Sequence, residues 1–427
     1  MIPTSLISHI EDGRLDRTLC ELYGRDKLDL QKRRYISAIN EFASLYGAER
    51  EISVFSVSGR SELSGNHTDH NRGCVIAASI NLDIIAVAAK REDSLVRVKS
   101  CGYDEITVNI SEYTSPDTNM FGTSASIIAG MCRGFSDHAF TTGGFDAYVT
   151  SDVLKGSGLS SSAAFEVMIG NILNHFYNCG KIDNVEIAKL AQWAENNFFG
   201  KPCGLMDQVA CAHGGIVAID FSDTSAPEIE PMSFDLTAAG YKLCIVDTGG
   251  NHADLTDDYA AIPNEMKSIA HYFGKNVLRE TCEADVIASI PALREKLGDR
   301  AILRAIHFFS ENKRVTAQKK ALEDGDLALY FENVIASGKS SFCYLQNVYT
   351  VKNIREQGLS LALSLAEAYL DSRDGAYRVH GGGFAGTIQA YVKSEDAEGF
   401  ATLMNAAFGE GACLTLQIRQ HGAIKII

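Results

Sequence analysis

Between residues 30 and 47 the apolar positions Ile36, Ile39, Phe42, Ala43 and Tyr46 fall near helical spacing, and Gly47 supplies a stop. A helix is expected there. Short runs of branched apolar residues follow at 52–57, 75–89 and 95–99, and these predict strands. In the last run Val96 and Val98 alternate with Arg97 and Lys99, as on a half-exposed sheet. Residues 160–179 predict a second helix. Ala164, Met168, Ile172 and Phe176 recur every four residues, Phe165, Ile169 and Leu173 widen the apolar face, and Gly180 follows as a stop. Asp183 and Glu186 form a capping-box pattern that opens a third helix ending near Gly200.

The second half opens with a strand at 242–248. Helical stretches follow at 258–274, 284–335 and 353–371, and the alternation of Ile388, Ala390 and Val392 predicts a closing strand. Strands and helices mix without the regular spacing of a doubly wound sheet, so the pattern predicts an α+β fold. A chain of 427 residues is too long for one core and suits two domains. Asp220, Asp223, Pro227 and Pro231 mark a loop near 220–235, which puts the domains at 1–222 and 223–427.

Composition narrows the partners. The formal net charge of −15 argues against nucleic acid, which needs clustered Lys and Arg. It does not exclude a nucleotide, because backbone amides at a helix start can hold phosphates in an acidic protein. Eleven cysteines without a CxxC spacing argue against zinc and suit a reducing compartment. The first residues lack a basic stretch followed by an apolar one, so no secretory leader is expected. The most apolar segment, 75–89, is too short and too polar for a bilayer, with Asn81 and Asp83 inside it. A cytoplasmic protein is expected, monomeric or weakly self-associating, with no membrane partner.

Three segments carry chemistry. Residues 155–164, Lys-Gly-Ser-Gly-Leu-Ser-Ser-Ser-Ala-Ala, stand directly before the second helix. Glycines allow a tight turn, and serine hydroxyls and free amides at a helix start suit a polyphosphate and its Mg²⁺. A flexible capping turn is the plainer alternative. Two rival nucleotide motifs fail. Gly338-Lys339-Ser340 lacks the earlier glycine of a Walker A loop, the position being Asn333. Gly381 to Gly386 fits a dinucleotide fingerprint but precedes a strand, not a helix. The second segment, 58–73, crowds Asn66, His67, Thr68, Asp69 and His70 between two strands, as polyol recognition requires, although most such loops are merely solvated. The third, 195–208, sets Asp207 among apolar and small residues. There it is a candidate acid–base group or a simple helix cap.

Together these segments resemble the GHMP small-molecule kinases, and among them the galactokinases. Gly59-Arg60 with 65–69, Gly-Asn-His-Thr-Asp, resembles the galactokinase signature Gly-Arg-Val-Asn-Leu-Ile-Gly-Glu-His-Thr-Asp-Tyr. Residues 156–164 resemble the family phosphate loop, Cys203 to Gln208 the Cys-Gly-Ile-Met-Asp-Gln segment, and Arg378 to Phe384 the glycine-rich third motif. The resemblance implies a two-domain fold with the active site between the domains, and ATP and Mg²⁺ as co-substrate and cofactor. It implies Asp207 and Arg60 as catalytic residues, and Ser162 and Glu195 as Mg²⁺ contacts. Gly156, Ser157, Gly158, Leu159, Ser160, Ser161 and Ser162 become the phosphate cradle, with Ser100 near the nucleotide. Asn66, His67, Thr68, Asp69, Gly204 and Tyr259 become sugar contacts.

The departures concentrate in the sugar loop. The signature's Val-Asn is Ser61-Glu62, its Glu is Asn66 and its last Tyr is His70; in the third motif a Thr becomes His380 and a Gly becomes Ala385. The basic pair usual after the tyrosine is absent behind Tyr259. The expected reaction is phosphorylation of galactose at its anomeric hydroxyl. Asn66 is expected to face the sugar and to relax discrimination against galacturonate, which makes a galacturonate kinase the first alternative. A non-catalytic sugar sensor is the second. It is disfavoured because Ser160 to Ala164, Asp207 and Arg60 are all present.

Overall fold

The computed structural model describes every residue except 114, 154–157, 202 and 251–254. Its first strands are β1 (Ser53–Ser64), β2 (Cys74–Lys90), β3 (Leu95–Ser100), β4 (Glu105–Asn109), β5 (Phe145–Ser151), β6 (Ile216–Asp220) and β7 (Glu228–Met232). They are followed by β8 (Tyr241–Asp247), β9 (Gly375–His380), β10 (Thr387–Lys393), β11 (Cys413–Leu416) and β12 (Ala423–Lys425). The first sheet runs β12-β1-β2-β5-β3-β4, with β6 and β7 continuing from β2. Among the described residues only β3 and β5 pair in parallel. The long β2 serves two neighbours: residues 84–90 pair with β5 and residues 74–78 with β6. The second sheet, β11-β8-β10-β9, is antiparallel throughout.

The helices of the first half are α1 (Pro3–Glu11), α2 (Asp16–Tyr23), α3 (Leu28–Tyr46), α4 (Ser124–Asp137), α5 (Ser161–Tyr177), α6 (Asn184–Ala194) and α7 (Met206–His213). Those of the second half are α8 (Thr256–Tyr272), α9 (Glu283–Ala288), α10 (Ile290–Leu297), α11 (Asp299–Asp324), α12 (Leu327–Ser340), α13 (Gly358–Leu370) and α14 (Ala397–Phe408). Alternation along β1 and β2 feeds two cores. Phe55, Val57, Ala86 and Ala88 pack with α4 to α7. Val54, Ile85, Val87 and Ala89 pack with Leu6, Leu19, Tyr35 and Phe42 of α1 to α3. This is why 75–89 is apolar without a polar face. A third core lies within α8 to α11, and a fourth between the second sheet and α13 and α14.

The α+β class and the main expected elements are present, with three differences. The stretch 58–64 is a buried part of β1 and not a loop, because its polar side chains pair with groups from the second half of the chain. The helical stretch 284–335 is four helices. Pro291 opens α10, and Gly298 and Gly325, at φ of +80° and +72°, end the helices before them. The third helix does run to Gly200, but its last turn, Glu195–Phe199, widens to a π-helix. Sheet membership also crosses the cut expected at 222/223, since β7 and β12 both belong to the first sheet.

Candidate active site

Arg60 sits on β1 where the strand passes the phosphate loop. A Cβ on Gly59 would stand 3.0 Å from the Leu159 carbonyl oxygen, so glycine permits this approach. The Arg60 guanidinium grips Asp207 with a two-pronged fork, Nε to Oδ1 and Nη2 to Oδ2, both 2.7 Å. Its Nη1 donates to the Gly158 carbonyl, and the Ser160 hydroxyl donates to Asp207 Oδ2. Ser160 reaches over because it adopts a left-handed conformation, φ +57°, immediately before α5.

Asp207 lies in the first turn of α7, where the helix dipole favours an anion, yet it makes no capping hydrogen bond. The simple capping role is thereby excluded. Burial works against its ionised form, but the Arg60 charge and the Ser160 hydroxyl outweigh burial and hold the carboxyl below its ordinary value. The Asp207 side chain remains 33% exposed, so the ionised oxygens are open to a ligand.

A second carboxylate group lies alongside. Glu195 is buried at the start of the π-helical turn, and its Oε2 accepts a 2.9 Å hydrogen bond from Gln208 Nε2, which also donates to Glu166 Oε2 at 3.1 Å. Lys201 Nζ stands 3.3 Å from Glu195 Oε1. Glu166 lies one turn after the exposed Ser162 on α5. Glu166 Oε1 and Gln208 Oε1 are both buried without partners. Burial and the neighbouring Glu195 push the Glu166 carboxyl up to about 8. Among the described residues no cluster of His, Cys, Asp and Glu could hold a metal by itself. The oxygen donors Ser162 and Glu195, with the protonated Glu166 beside them, suit a Mg²⁺ that takes a carboxylate and completes its shell with phosphates and water.

The sugar loop divides. A cavity of about 190 Å³ is lined by Asp69, His70, Gln192, Cys203, Gly204 and Leu205. A Cβ on Gly204 would lie 2.7 Å from Asp69 Oδ2, so glycine is what lets this carboxylate stand against the chain. His67 Nε2 donates to the Gly382 carbonyl at 3.0 Å, and the Tyr259 hydroxyl donates to the Gly383 carbonyl at 2.7 Å, which ties the third motif to this wall. Two expected sugar contacts point inward instead. Thr68 is buried in its own turn, between the carbonyls of Gly65 and Cys74. Asn66 is fully buried. Its Nδ2 donates to Glu62 Oε1 at 3.2 Å and the Gly381 carbonyl at 2.7 Å, and its Oδ1 accepts from Asn347 at 2.9 Å and Ser341 at 3.3 Å. Two donors and two acceptor positions are all an amide has. Asn66 therefore cannot select the sugar directly.

Of the remaining expected residues, Leu159 is buried beneath the loop, and Gly158 and Ser161 stand at its surface. Gly156 and Ser157 lie outside the described residues. Ser100 ends β3 beside β5 and makes no hydrogen bond to the other candidates among the described residues. Another cavity, about 750 Å³, is lined by Thr248, Leu255, Thr350, Lys352 and Phe384 among others, and by none of Arg60, Asp69, Glu195 or Asp207. Glu62, Glu166, Lys201, Gln208 and His380 also belong to this neighbourhood, although sequence pattern alone assigns none of them a role. His380 bridges Ser61 at 3.1 Å and Thr387 at 2.9 Å, and burial, with Arg60 and Arg378 nearby, lowers it to about 3, so it is a neutral spacer.

Comparison with known proteins agrees with this geometry. Residues 126–215 match the GHMP kinases N terminal domain, and residues 40–90 the galactokinase galactose-binding signature. The chain is 30% identical over 373 residues to a galactokinase of Streptomyces coelicolor, covering 86% of this chain and 91% of that one. The chain belongs to the galactokinase family. A second member, the galactokinase of Actinobacillus pleuropneumoniae serotype 3, is 31% identical, with 84% of this chain and 90% of the relative covered. The galactokinase fold is equally plain in three dimensions. Lactococcus lactis galactokinase complexed with galactose superimposes with a TM-score of 0.76 at 24% identity, over 92% of this chain and all of that one. A mevalonate kinase superimposes at 0.61 and 14% identity, over 86% and 99%.

Proposed function

We propose that this chain transfers the terminal phosphoryl group of ATP to the anomeric hydroxyl of galactose, giving galactose 1-phosphate. The observation that carries the reading is the Arg60–Asp207 fork. It stands between the helix start that follows the phosphate loop and the strand and turn that lead to the 190 Å³ cavity.

Phosphoryl transfer needs positioning and charge neutralisation more than covalent chemistry. Asp207, ionised at neutral pH and open on one side, accepts a hydrogen bond from the attacking hydroxyl and aims it. A carboxyl held low by Arg60 is a weak base, so it orients the hydroxyl and receives the proton only as the new P–O bond forms. Arg60 keeps Asp207 ionised and places fixed positive charge at the edge of the phosphate loop. Ser162 and Glu195 would hold Mg²⁺, which neutralises phosphate charge when bound. Gln208 orients the Glu195 carboxylate from below. Asp69 and Gly204 shape the sugar wall. No helix among the described residues is long and apolar enough to cross a membrane, and the eleven cysteines, all free thiols, support a cytoplasmic setting.

The test is ADP production with ATP, Mg²⁺ and a panel of hexoses and hexuronic acids, with the product's phosphate located by ³¹P NMR. Galactose-dependent ADP and an anomeric phosphate are expected. Galactose binding without ADP from any sugar would make the chain a sensor, and ADP with galacturonate alone would reassign the substrate.

A further inference from the structure

Arg60 shares its strand with another charged side chain. From Arg60 to Glu62 the pairing of β1 with β2 is regular, Arg60 opposite Ser79, Ser61 opposite Ala78 and Glu62 opposite Ala77. Alternation therefore turns Arg60 and Glu62 to the same face of the sheet. Glu62 is only 6% exposed, and a buried carboxylate needs partners. One of its oxygens has them: Oε1 accepts from Arg378 Nη2 and from Asn66 Nδ2. Oε2 has no partner among the described residues. It is also not one of the sealed, unpaired polar atoms of the interior, so it opens onto free space.

The strand sets the place of that oxygen: Glu62 lies two residues from Arg60 on the same face and is hydrogen-bonded to Asn66, three residues before Asp69 of the cavity wall. Arg378 cannot turn away to neutralise an incoming anion. It is fully buried, with Nε on the Val379 carbonyl at 3.0 Å and Nη1 near the Leu63 carbonyl at 3.3 Å and Ser337 at 3.4 Å. Asn66, the neighbouring candidate, has no hydrogen-bonding capacity left. Against the galactokinase signature the two residues have exchanged places. The amide expected at 62 stands at 66, the carboxylate expected at 66 stands at 62, and the two now touch.

We propose that Glu62, through Oε2, accepts a hydrogen bond from a hydroxyl of the bound sugar and is the residue that selects a neutral hexose over a hexuronic acid. The inference rests on the sugar-kinase reading above. A hydroxyl aimed at Oε2 makes a charge-assisted hydrogen bond, whereas a uronate carboxylate in that space meets a like charge with little solvent between them. Selection then comes from a built-in repulsion as much as from a favourable contact.

The experiment compares wild type with Glu62→Gln and Glu62→Asp. Glu62→Gln removes the charge. Glu62→Asp keeps a charge for Arg378 but withdraws the oxygen by one methylene, so it guards against a variant that fails to fold. Galactose affinity is measured by calorimetry without nucleotide, and kcat and KM are measured for galactose, galacturonate and ATP. Both variants should weaken galactose binding about tenfold while the KM for ATP stays put, and Glu62→Gln should lower the kcat/KM ratio of galactose to galacturonate about tenfold. Galactose affinity unchanged in a folded Glu62→Asp, or a ratio unchanged in a folded Glu62→Gln, overturns the proposal. A wild type that phosphorylates no sugar at all would instead overturn the kinase reading, so the two failures are distinguishable.

Discussion

Two of the arginine–carboxylate clusters on the first sheet differ in what their carboxylates have left to give. Asp83, on β2, is wholly buried. Its Oδ1 accepts from Arg34 at 2.7 Å, and its Oδ2 accepts from Tyr23 at 2.6 Å, from Arg419 at 3.1 Å and from Ser56. Those partners come from α2, α3, β1 and the C-terminal segment, so one carboxylate ties both ends of the chain to the sheet. Asp207 has Arg60 and Ser160 and is still a third exposed. The pairing chemistry is the same. Unused acceptor capacity combined with access marks the functional group, and saturation marks the structural one.

The sharpest way to break this contrast is to neutralise each carboxylate and exchange the assays. Asp207→Asn should lower kcat about 10²-fold or more, the range for loss of a proton-handling group, while the unfolding midpoint falls less than in Asp83→Asn because the site is partly open to solvent. Because the Asp207 carboxyl is held low, wild-type activity should show no acid limb from this group until the pH falls below its ordinary value of 3.8. His67 and His380, lowered to about 4 and about 3 mainly by burial, should add none near neutrality. Near-normal turnover in Asp207→Asn would place the attacking hydroxyl elsewhere.

Asp83→Asn should do the reverse. Stripping the charge leaves Arg419 buried without its anion and Arg34 with only the exposed Asp152, at a cost of about 3–5 kcal/mol in denaturant unfolding, with kcat of the folded enzyme unchanged. Burial opposes the ionised form, but the two arginines prevail and depress the Asp83 carboxyl. A depressed carboxyl stabilises the fold above its unfolded value and loses that contribution as the pH falls through the folded one. The variant should therefore lack part of the wild type's acid-side loss of stability. A large drop in kcat with intact stability would mean that the network communicates with the site.

The same contrast explains what was legible in the sequence. Arg60 and Asp207 stand out because each sits in a short local motif, and the pairing that the family resemblance implies for them is present across 147 residues of chain. The direction of Asn66 was not legible, since it is fixed by Ser341, Asn347 and Gly381, about three hundred residues further along. The polar run 58–64 suggested a loop because its partners are equally remote. The purpose of residues 1–30 is not legible in their sequence; Leu6, Ile10, Leu19 and Leu22 cover the outer face of the sheet. Periodicity located the apolar helices well, but a continuous helical pattern across 284–335 concealed three breaks where glycine or proline overrules it.

Glu195 should fall between the two extremes. It is as buried as Asp83 but shares its oxygens with a single amide donor and the exposed Lys201. Glu195→Gln and Ser162→Ala should each raise the Mg²⁺ concentration for half-maximal rate, the former about tenfold for the loss of a charged ligand. Mg²⁺ dependence unchanged in both would move the metal off these residues.

Glu166 gives the smallest and most discriminating effect. It is buried, its Oε1 is unpaired, and burial together with Glu195 raises its carboxyl to about 8. At neutral pH it is therefore mostly protonated, and Glu166→Gln replaces a neutral acid with a neutral amide of the same shape. The Mg²⁺ requirement at pH 7 should change less than about threefold, well below the change in Glu195→Gln. Stability separates them further. Between the ordinary carboxyl value of 4.5 and about 8, the folded state holds a proton that the unfolded chain has released. Stability then falls as the pH rises through that window, and the loss is complete above the folded value. Glu166→Gln removes this term, so the variant should gain on wild type steadily from pH 5 to pH 8 in parallel denaturant titrations. A Mg²⁺ requirement that rises as far as in Glu195→Gln, or a stability difference that is flat with pH, would mean that Glu166 is ionised at neutrality and acts as a second direct ligand rather than a neutral neighbour of the first.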